Sequence, residues 1–326
     1  MQIDESVTLS IIVPHFNSAD LLVKLLSTIP DIPQIEVIVV DDHSTQKLEE
    51  LLNCKKEYAN RNIYFLENKP DRKSAGAARN VGIKHARGKY LLFADADDWF
   101  LEDFWSVVQE NIVDEDDVIF FAPTSRKING RESKRHLHYK KLVREYLKNT
   151  SYQNELKLRY LYWSPCSKLI KRSVVLKYKV FFDEVQFAND LLFSAKVGNV
   201  AKTIKASEDI IYCILEHRGS LITYKDEASS MMRRKVYCRY YFYLKSLIGR
   251  NDFRLLGFTS KNDWNQIKFL FCALWYDYQH GIKCEGVLRD YQKVFEMAWK
   301  SFVNLDKKKN ELFRLCKMME KVGRKK

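Results

Sequence analysis

A chain of 326 residues, 46% apolar and 30% charged, is long enough for two domains and apolar enough to fill their cores. No apolar run approaches the roughly 20 residues of a membrane-spanning helix, and the acidic start MQIDESVTLS lacks the form of a secretory signal. The net charge of +13 is unevenly placed, because residues 222–326 hold 23 Lys and Arg against 11 Asp and Glu; that third is either a separate module facing an anionic partner or a solvated basic surface.

In chain order, Thr8–Pro14 (TLSIIVP) is β-branched and closes on proline, which predicts a buried strand. Asn17 or Ser18 caps a following helix whose apolar positions, Leu21, Leu22, Leu25, Leu26 and Ile29, recur at helical spacing. Glu36–Val40 (EVIVV) predicts a second strand, Gln46–Tyr58 a helix and Ile63–Leu66 a third strand. Ala75–Ala86 is Ala-rich and helical, stopped by Gly88, and Tyr90–Ala94 and Val118–Ala122 are further strands. Continuous apolar strands alternating with helices predict an α/β domain with a mostly parallel sheet covered on both faces. Phe120–Arg126 and Arg131–Leu137 flank Asn129-Gly130, a hairpin-turn signal, and two or three short helices should follow through Val197. Beyond about residue 222 only helices are expected: Ser229–Ile248, Asp263–His280, Glu285–Phe302 and Lys309–Val322.

In such a sheet the ligand lies at the carboxyl ends of the strands. Asp41-Asp42 follows one strand end and Asp95-Ala96-Asp97-Asp98 another, so two acidic clusters should converge on one crevice. Carboxylates two apart at a strand end suit a hard divalent cation such as Mg²⁺ or Mn²⁺, which shares its coordination with substrate phosphates. The plainer readings are helix caps: Asp98 for a helix near Glu102–Asn111, and Asp42 or Ser44 for the helix after the second strand.

The order and spacing of the motifs go further. SIIVPHFN (10–17), EVIVVDDHS (36–44) and AGAARNVGIKHARGKYLLFADADD (75–98) resemble the nucleotide-binding half of glycosyltransferase family 2. SKLIKRSVVLKYKVFFDEVQFANDLLFSAKVG (167–198) is similar to that family's second half. The resemblance covers residues 7 to about 221. It implies the Rossmann-like GT-A fold for 1–221, with a nucleotide-binding half at 1–115 and an acceptor half at 116–221, followed by an all-α basic domain at 222–326. Carried across residue by residue, it implies that Pro14, Phe16 and Asn17 form the first donor loop, with Phe16 packing on the base. Asp42 would contact the base with Asp41 in support, Arg79 and Asn80 would lie near the diphosphate or shape its loop, and Asp95 would touch the ribose. Asp97 would hold Mn²⁺ or Mg²⁺, Asp190 would be the general base on the acceptor hydroxyl, and Lys168 and Arg218 would help bind donor or acceptor. Two positions depart from the pattern: Asn189-Asp190 stands where the family has Glu-Asp, and His15 replaces a small or hydroxyl residue, with no catalytic role assigned to it. No Q-x-x-R-W motif of the processive members is present, which implies one sugar per encounter.

The expected function is therefore inverting, metal-dependent transfer of a sugar from a nucleotide-sugar donor, UDP-linked by expectation, to a hydroxyl of a glycan or lipid-linked acceptor, as in bacterial surface polysaccharide synthesis. A nucleotidyltransferase is the nearest rival enzyme, although VPHFNSAD lacks the glycines of a phosphate loop. A catalytically dead anion- or membrane-binding module is the other rival. No nucleic-acid reading motif accompanies the basic third. The seven scattered cysteines form no C-x-x-C pair, which argues against a disulfide framework or zinc site and for a reducing cytoplasm. The basic third is expected to hold the enzyme on the inner face of the cell membrane; packing on the catalytic domain or pairing of two subunits as a homodimer are the alternatives.

Overall fold

The computed structural model describes residues 7–113, 115–217 and 226–258, together with 265, 266 and 269. The chain divides into two compact units, Met1–Thr223 and Tyr224–Lys326.

The first unit is built on β1 (Leu9–His15), α1 (Ala19–Ser27), β2 (Ile35–Asp41), α2 (Leu48–Glu57), β3 (Ile63–Glu67), α3 (Ala75–His85) and β4 (Tyr90–Phe93). There follow β5 (Trp99–Phe100), α4 (Phe104–Asn111), β6 (Val118–Phe121), β7 (Thr124–Lys127), α5 (Leu137–Lys148) and α6 (Tyr152–Leu161). The unit closes with β8 (Lys168–Lys171), α7 (Arg172–Lys177), α8 (Asp190–Val200), β9 (Ile204–Ser207) and β10 (Tyr212–Glu216). Seven strands form one sheet in the order β3-β2-β1-β4-β8-β6-β9, and a smaller sheet runs β5-β10-β7. The strands β1 to β4 pair in parallel; β1, β2 and β4 are buried almost throughout, as their unbroken apolar runs require, while β3 at the sheet edge is largely half-buried or exposed. The register sets His15 beside Asp41 and Ile12 beside Phe93, so the loops after β1, β2 and β4 emerge at one edge.

The second half departs from the sequence expectation. β8 runs antiparallel to both neighbours, and β5, β8, β9 and β10 have no counterpart in the sequence reading. Asn129-Gly130 does turn the chain, with Gly130 at φ +80°, but the predicted partner strand 131–137 makes only the bridge Arg126↔Glu132. β7 pairs in parallel with β10 instead, because the polar run RESKRHL offers no alternating apolar face to lie on a sheet. Helices α5, α6, α7 and α8 occupy the span for which two or three were expected.

In the second unit α9 (Glu227–Leu247) is followed by α10 (Arg250–Leu255). Asp226 caps α9, its carboxylate accepting from the Ser229 N–H at 2.8 Å. Tyr241 packs edge-on to Phe253 and Phe258, at 5.0 and 5.2 Å between ring centres, and Tyr240, Tyr241 and Phe242 are buried. These rings are core. The helices predicted at Asp263–His280, Glu285–Phe302 and Lys309–Val322 lie outside the described residues, apart from helical positions at 265, 266 and 269.

Candidate active site

The loop after β1 begins the site. His15 is buried, and its Nδ1 lies 2.7 Å from Asp41 Oδ1 while its Nε2 accepts from the Ser18 N–H at 3.3 Å. This pair of partners assigns the proton to Nδ1. Ser44 adds its hydroxyl to Asp41 Oδ1 at 2.6 Å and its N–H to Oδ2 at 3.0 Å. Burial works to raise the Asp41 pKa, but the hydrogen bonds from His15 and Ser44 outweigh it and bring the carboxyl down to about 2. Asp41 is therefore a brace between the first two strand-end loops. Asn17, at φ +54°, reinforces it by accepting from the N–H groups of Thr45 and Gln46 at 2.8 and 2.9 Å. Neither Asn17 nor Ser18 caps α1 through its side chain. Pro14 lies half-buried in β1 beside Val40, and Phe16 stands 54% exposed at the mouth.

Asp42 accepts from Asn68 Nδ2 at 2.6 Å and is half-buried; burial raises its pKa. It makes no cap for α2, whose N-cap is Lys47. Asn68, buried at the end of β3, had no sequence signal: a lone Asn after a short strand is common.

The second cluster gathers after β4. Asp95, Asp97 and Asp98 bring ligand-type oxygens within 4.8 Å of one another. Asp98 is already committed, accepting from the Tyr212 hydroxyl and the Leu215 N–H, each at 2.7 Å. Its burial raises its pKa well above the usual range. It ties β10 to the acidic turn and caps no helix. Asp97 meets His217 Nε2 at 2.7 Å, and burial first, then the neighbouring Asp95 charge, raises its pKa. His217 was missed in the sequence because 120 residues separate it from its partner.

Arg79 joins the halves. It is buried under the crevice with its guanidinium over the Phe182 ring. One arm donates to Asn189 Oδ1 at 2.7 Å and the other to Asp95 Oδ1 at 2.5 Å. Asn189 thus replaces a charged partner with a neutral acceptor, and the Arg79 charge remains available to Asp95 and Asp190. Asp190 opens α8, where the helix dipole favours a carboxylate. Burial raises its pKa, with Arg79 opposing.

Other candidates fall behind this surface. Asn80 is buried and grips the Phe182 backbone from both sides, accepting its N–H at 2.8 Å and donating to its carbonyl at 3.0 Å. It shapes the loop. Lys168 is 1% exposed, with Nζ donating to the Tyr162 carbonyl at 2.8 Å and Ser194 Oγ at 3.1 Å. Burial lowers its pKa to about 7, and with Nζ enclosed by these partners it supports the wall behind Asp190. Glu184 is held by Arg72 at 3.0 Å and Asn80 at 3.3 Å. Arg218 lies outside the described residues.

Residues 10–179 match the sequence model of Glycosyl transferase family 2. The chain belongs to glycosyltransferase family 2. The family match sets the nucleotidyltransferase reading aside. Among curated relatives it is 29% identical over 221 residues to the poly(ribitol-phosphate) beta-glucosyltransferase of Bacillus spizizenii, covering 64% of this chain and 32% of the relative. It is 26% identical to the poly(ribitol-phosphate) beta-N-acetylglucosaminyltransferase TarS of Staphylococcus aureus, covering 69% of this chain and 39% of TarS. The chain therefore spans about a third of the length of these relatives. The structure of S. aureus TarS 1-349 in complex with UDP-GlcNAc superposes with a TM-score of 0.61 at 21% identity, over 84% of this chain and 81% of that one. The Pyrobaculum calidifontis mannosyltransferase PcManGT in complex with GDP-Man and Mn²⁺ gives 0.56 at 17% identity, over 89% and 80%. The family 2 chain thus has the GT-A fold of these neighbours. Among the described residues no helix is long and apolar enough to cross a membrane.

Proposed function

We propose that this glycosyltransferase moves a sugar from a UDP-linked donor to a hydroxyl of a glycan or lipid-linked acceptor in surface polysaccharide synthesis, one sugar per encounter and with inversion. The observation that carries the reading is the Arg79 bridge, which sets the acidic turn after β4 and the Asp190 end of α8 on either side of one buried cation.

Phe16 would pack on the base and Asp42 accept from it, while Asp95 would contact the ribose. The crowding of Asp95 and Asp97, which with burial raises the Asp97 pKa, fits a site for a divalent cation, and a carboxylate with an imidazole is a donor set that Mn²⁺ accepts. Asp97 and His217 would hold it, and once bound it supplies charge neutralisation to the leaving diphosphate. Asp190 accepts the proton of the acceptor hydroxyl as that oxygen attacks the anomeric carbon from the face opposite the diphosphate. One displacement inverts the centre, so no second nucleophilic carboxylate is required. Residues 1–221 would form the catalytic domain, in halves 1–115 and 116–221. The basic remainder, 222–326, would hold it at the anionic inner leaflet or pair two copies.

The test is a screen of nucleotide sugars with Mn²⁺, read as donor hydrolysis and thermal shift. A UDP-sugar should be hydrolysed and should raise the melting temperature, with Asp97→Asn and His217→Ala each losing the metal dependence of that shift. Equal turnover of Asp97→Asn in chelator would remove the cation from the reading.

A further inference from the structure

Helix α5 begins against the acceptor side of the site and ends away from it. At its start Tyr139 is close enough to Asp190 for that charge to act on its phenol. His138 beside it stacks at 5.4 Å, tilted 32°, on Trp163. The Trp163 carbonyl accepts from Ser194 Oγ at 2.5 Å, and Ser194 lies one helical turn beyond Asp190 on α8. The site-proximal end of α5 is thus fixed to the helix that carries the proposed base.

The outward face of α5 has a different chemistry. Leu137, Lys140, Lys141, Arg144, Glu145 and Lys148 line one depression, at the i, i+3, i+4 spacing of a single helical stripe. The Lys141 and Arg144 side chains are 73% and 55% exposed. Glu145 is met by both Lys141 and Lys157, and Glu208 meets Arg144 at 2.9 Å; Lys140 and Lys148 add charge beyond those pairs. Cations therefore recur about every 6 Å along the helix, and His138 stands where the stripe reaches the aromatic pair. The stripe begins in the same turn of α5 that carries His138 and Tyr139, so its first cations lie one turn from the site-proximal end of the helix.

Resting on the assignment of Asp190 as acceptor base, we propose that the basic stripe of α5 binds an acceptor polymer with regularly spaced phosphodiesters and guides its terminal or pendant hydroxyls past His138 and Trp163 to Asp190. A chain of repeating anions matches a row of cations, and such matching raises both encounter rate and specificity in a salt-dependent way. A neutral glycan would gain nothing from the stripe.

The experiment uses the full chain, with labelled poly(ribitol phosphate), neutral dextran and vesicles of phosphatidylcholine with or without phosphatidylglycerol as probes. Wild type should bind the polymer and ignore dextran, and raising salt from about 0.05 to 0.5 M should weaken binding at least ten-fold, on the order expected for several phosphate contacts. Lys140→Glu with Lys148→Glu should lose ten-fold or more in polymer affinity while hydrolysing UDP-sugar at the wild-type rate, which also shows that the variant is folded. If the charge reversal unfolds the protein, Lys140→Gln with Lys148→Gln replaces it and should lose a smaller part of the affinity. Unchanged polymer affinity in both variants, equal binding of dextran, or loss of vesicle binding in place of polymer binding overturns the proposal. Donor hydrolysis by a wild type that binds no polymer rejects the stripe alone; absence of donor hydrolysis with every nucleotide sugar rejects the underlying transferase reading.

Discussion

Asp190 is the residue on which most of the chemistry turns. Asp190→Asn should lower kcat by about 10²–10⁴ and leave donor affinity nearly unchanged, the signature of an interaction made in the transition state. The base must be deprotonated to act, and burial raises its pKa. Turnover should therefore fall as pH drops through a value above the side chain's ordinary one, and a pH profile of kcat/KM measures it. His15 makes a separate prediction. The depressed Asp41 pKa of about 2, against 3.8 for the free side chain, contributes stability that is present above the unfolded value and lost as pH falls through the folded one. His15→Phe should destabilise the protein at neutral pH by about 1–3 kcal/mol, because it leaves a buried acceptor short of a donor. It should also flatten acid unfolding between about pH 4 and pH 2, which denaturant titrations across that range would show. At this scale the acidic positions were legible because carboxylates at strand ends are local in sequence. The roles of His15, Asn68 and His217 were not, since each depends on a partner from a distant loop.

Among the elements, α3 is the one that must fit most closely. A β-carbon at Gly76 would stand well inside contact distance of the Asp183 carbonyl, with Asn189 Cβ 3.0 Å away. Gly76→Ala should therefore push the 183–189 segment outward, loosen the Arg79–Asn189 arm and depress kcat more than donor affinity. Near-normal kcat, or an equal loss in both, would reject that coupling, and circular dichroism checks that the fold persists. The parallel half of the sheet was readable because each strand is a continuous β-branched or aromatic run and each helix carries its own period. Errors there are one or two residues at the ends, as for β1, expected at Thr8–Pro14 and found at Leu9–His15. The other half was not readable for a physical reason. β8, β9 and β10 are four or five residues long and mix Lys, Ser and Glu with apolar positions, so their strand character comes from the neighbours they find. The aromatics of α9 show the same limit in reverse, since a tyrosine-rich helix fits either a membrane rim or a core until its packing is known.

At the scale of the whole molecule, charge separates the two parts of the chain. A protein ending at Thr223 should keep UDP-sugar binding and lose sedimentation with anionic vesicles, and in the full chain that sedimentation should weaken with salt as screening shortens the reach of the basic third. Equal retention on neutral vesicles would reject an electrostatic tether. The sheet order carries a consequence for how the molecule is made. In the sheet β8 lies between β4 and β6, yet it is encoded after both, with α5 and α6 in between. During synthesis Lys168 leaves the ribosome on the order of 2–10 s after Phe121. Until then the apolar edges of β4 and β6 have no partner, and the two helices form on a sheet that is still open. Nascent chains stalled in that interval should be captured by chaperones and cut by proteases, with a partial release once KLIK has emerged between β4 and β6 and the rest once IKAS has covered the other edge of β6.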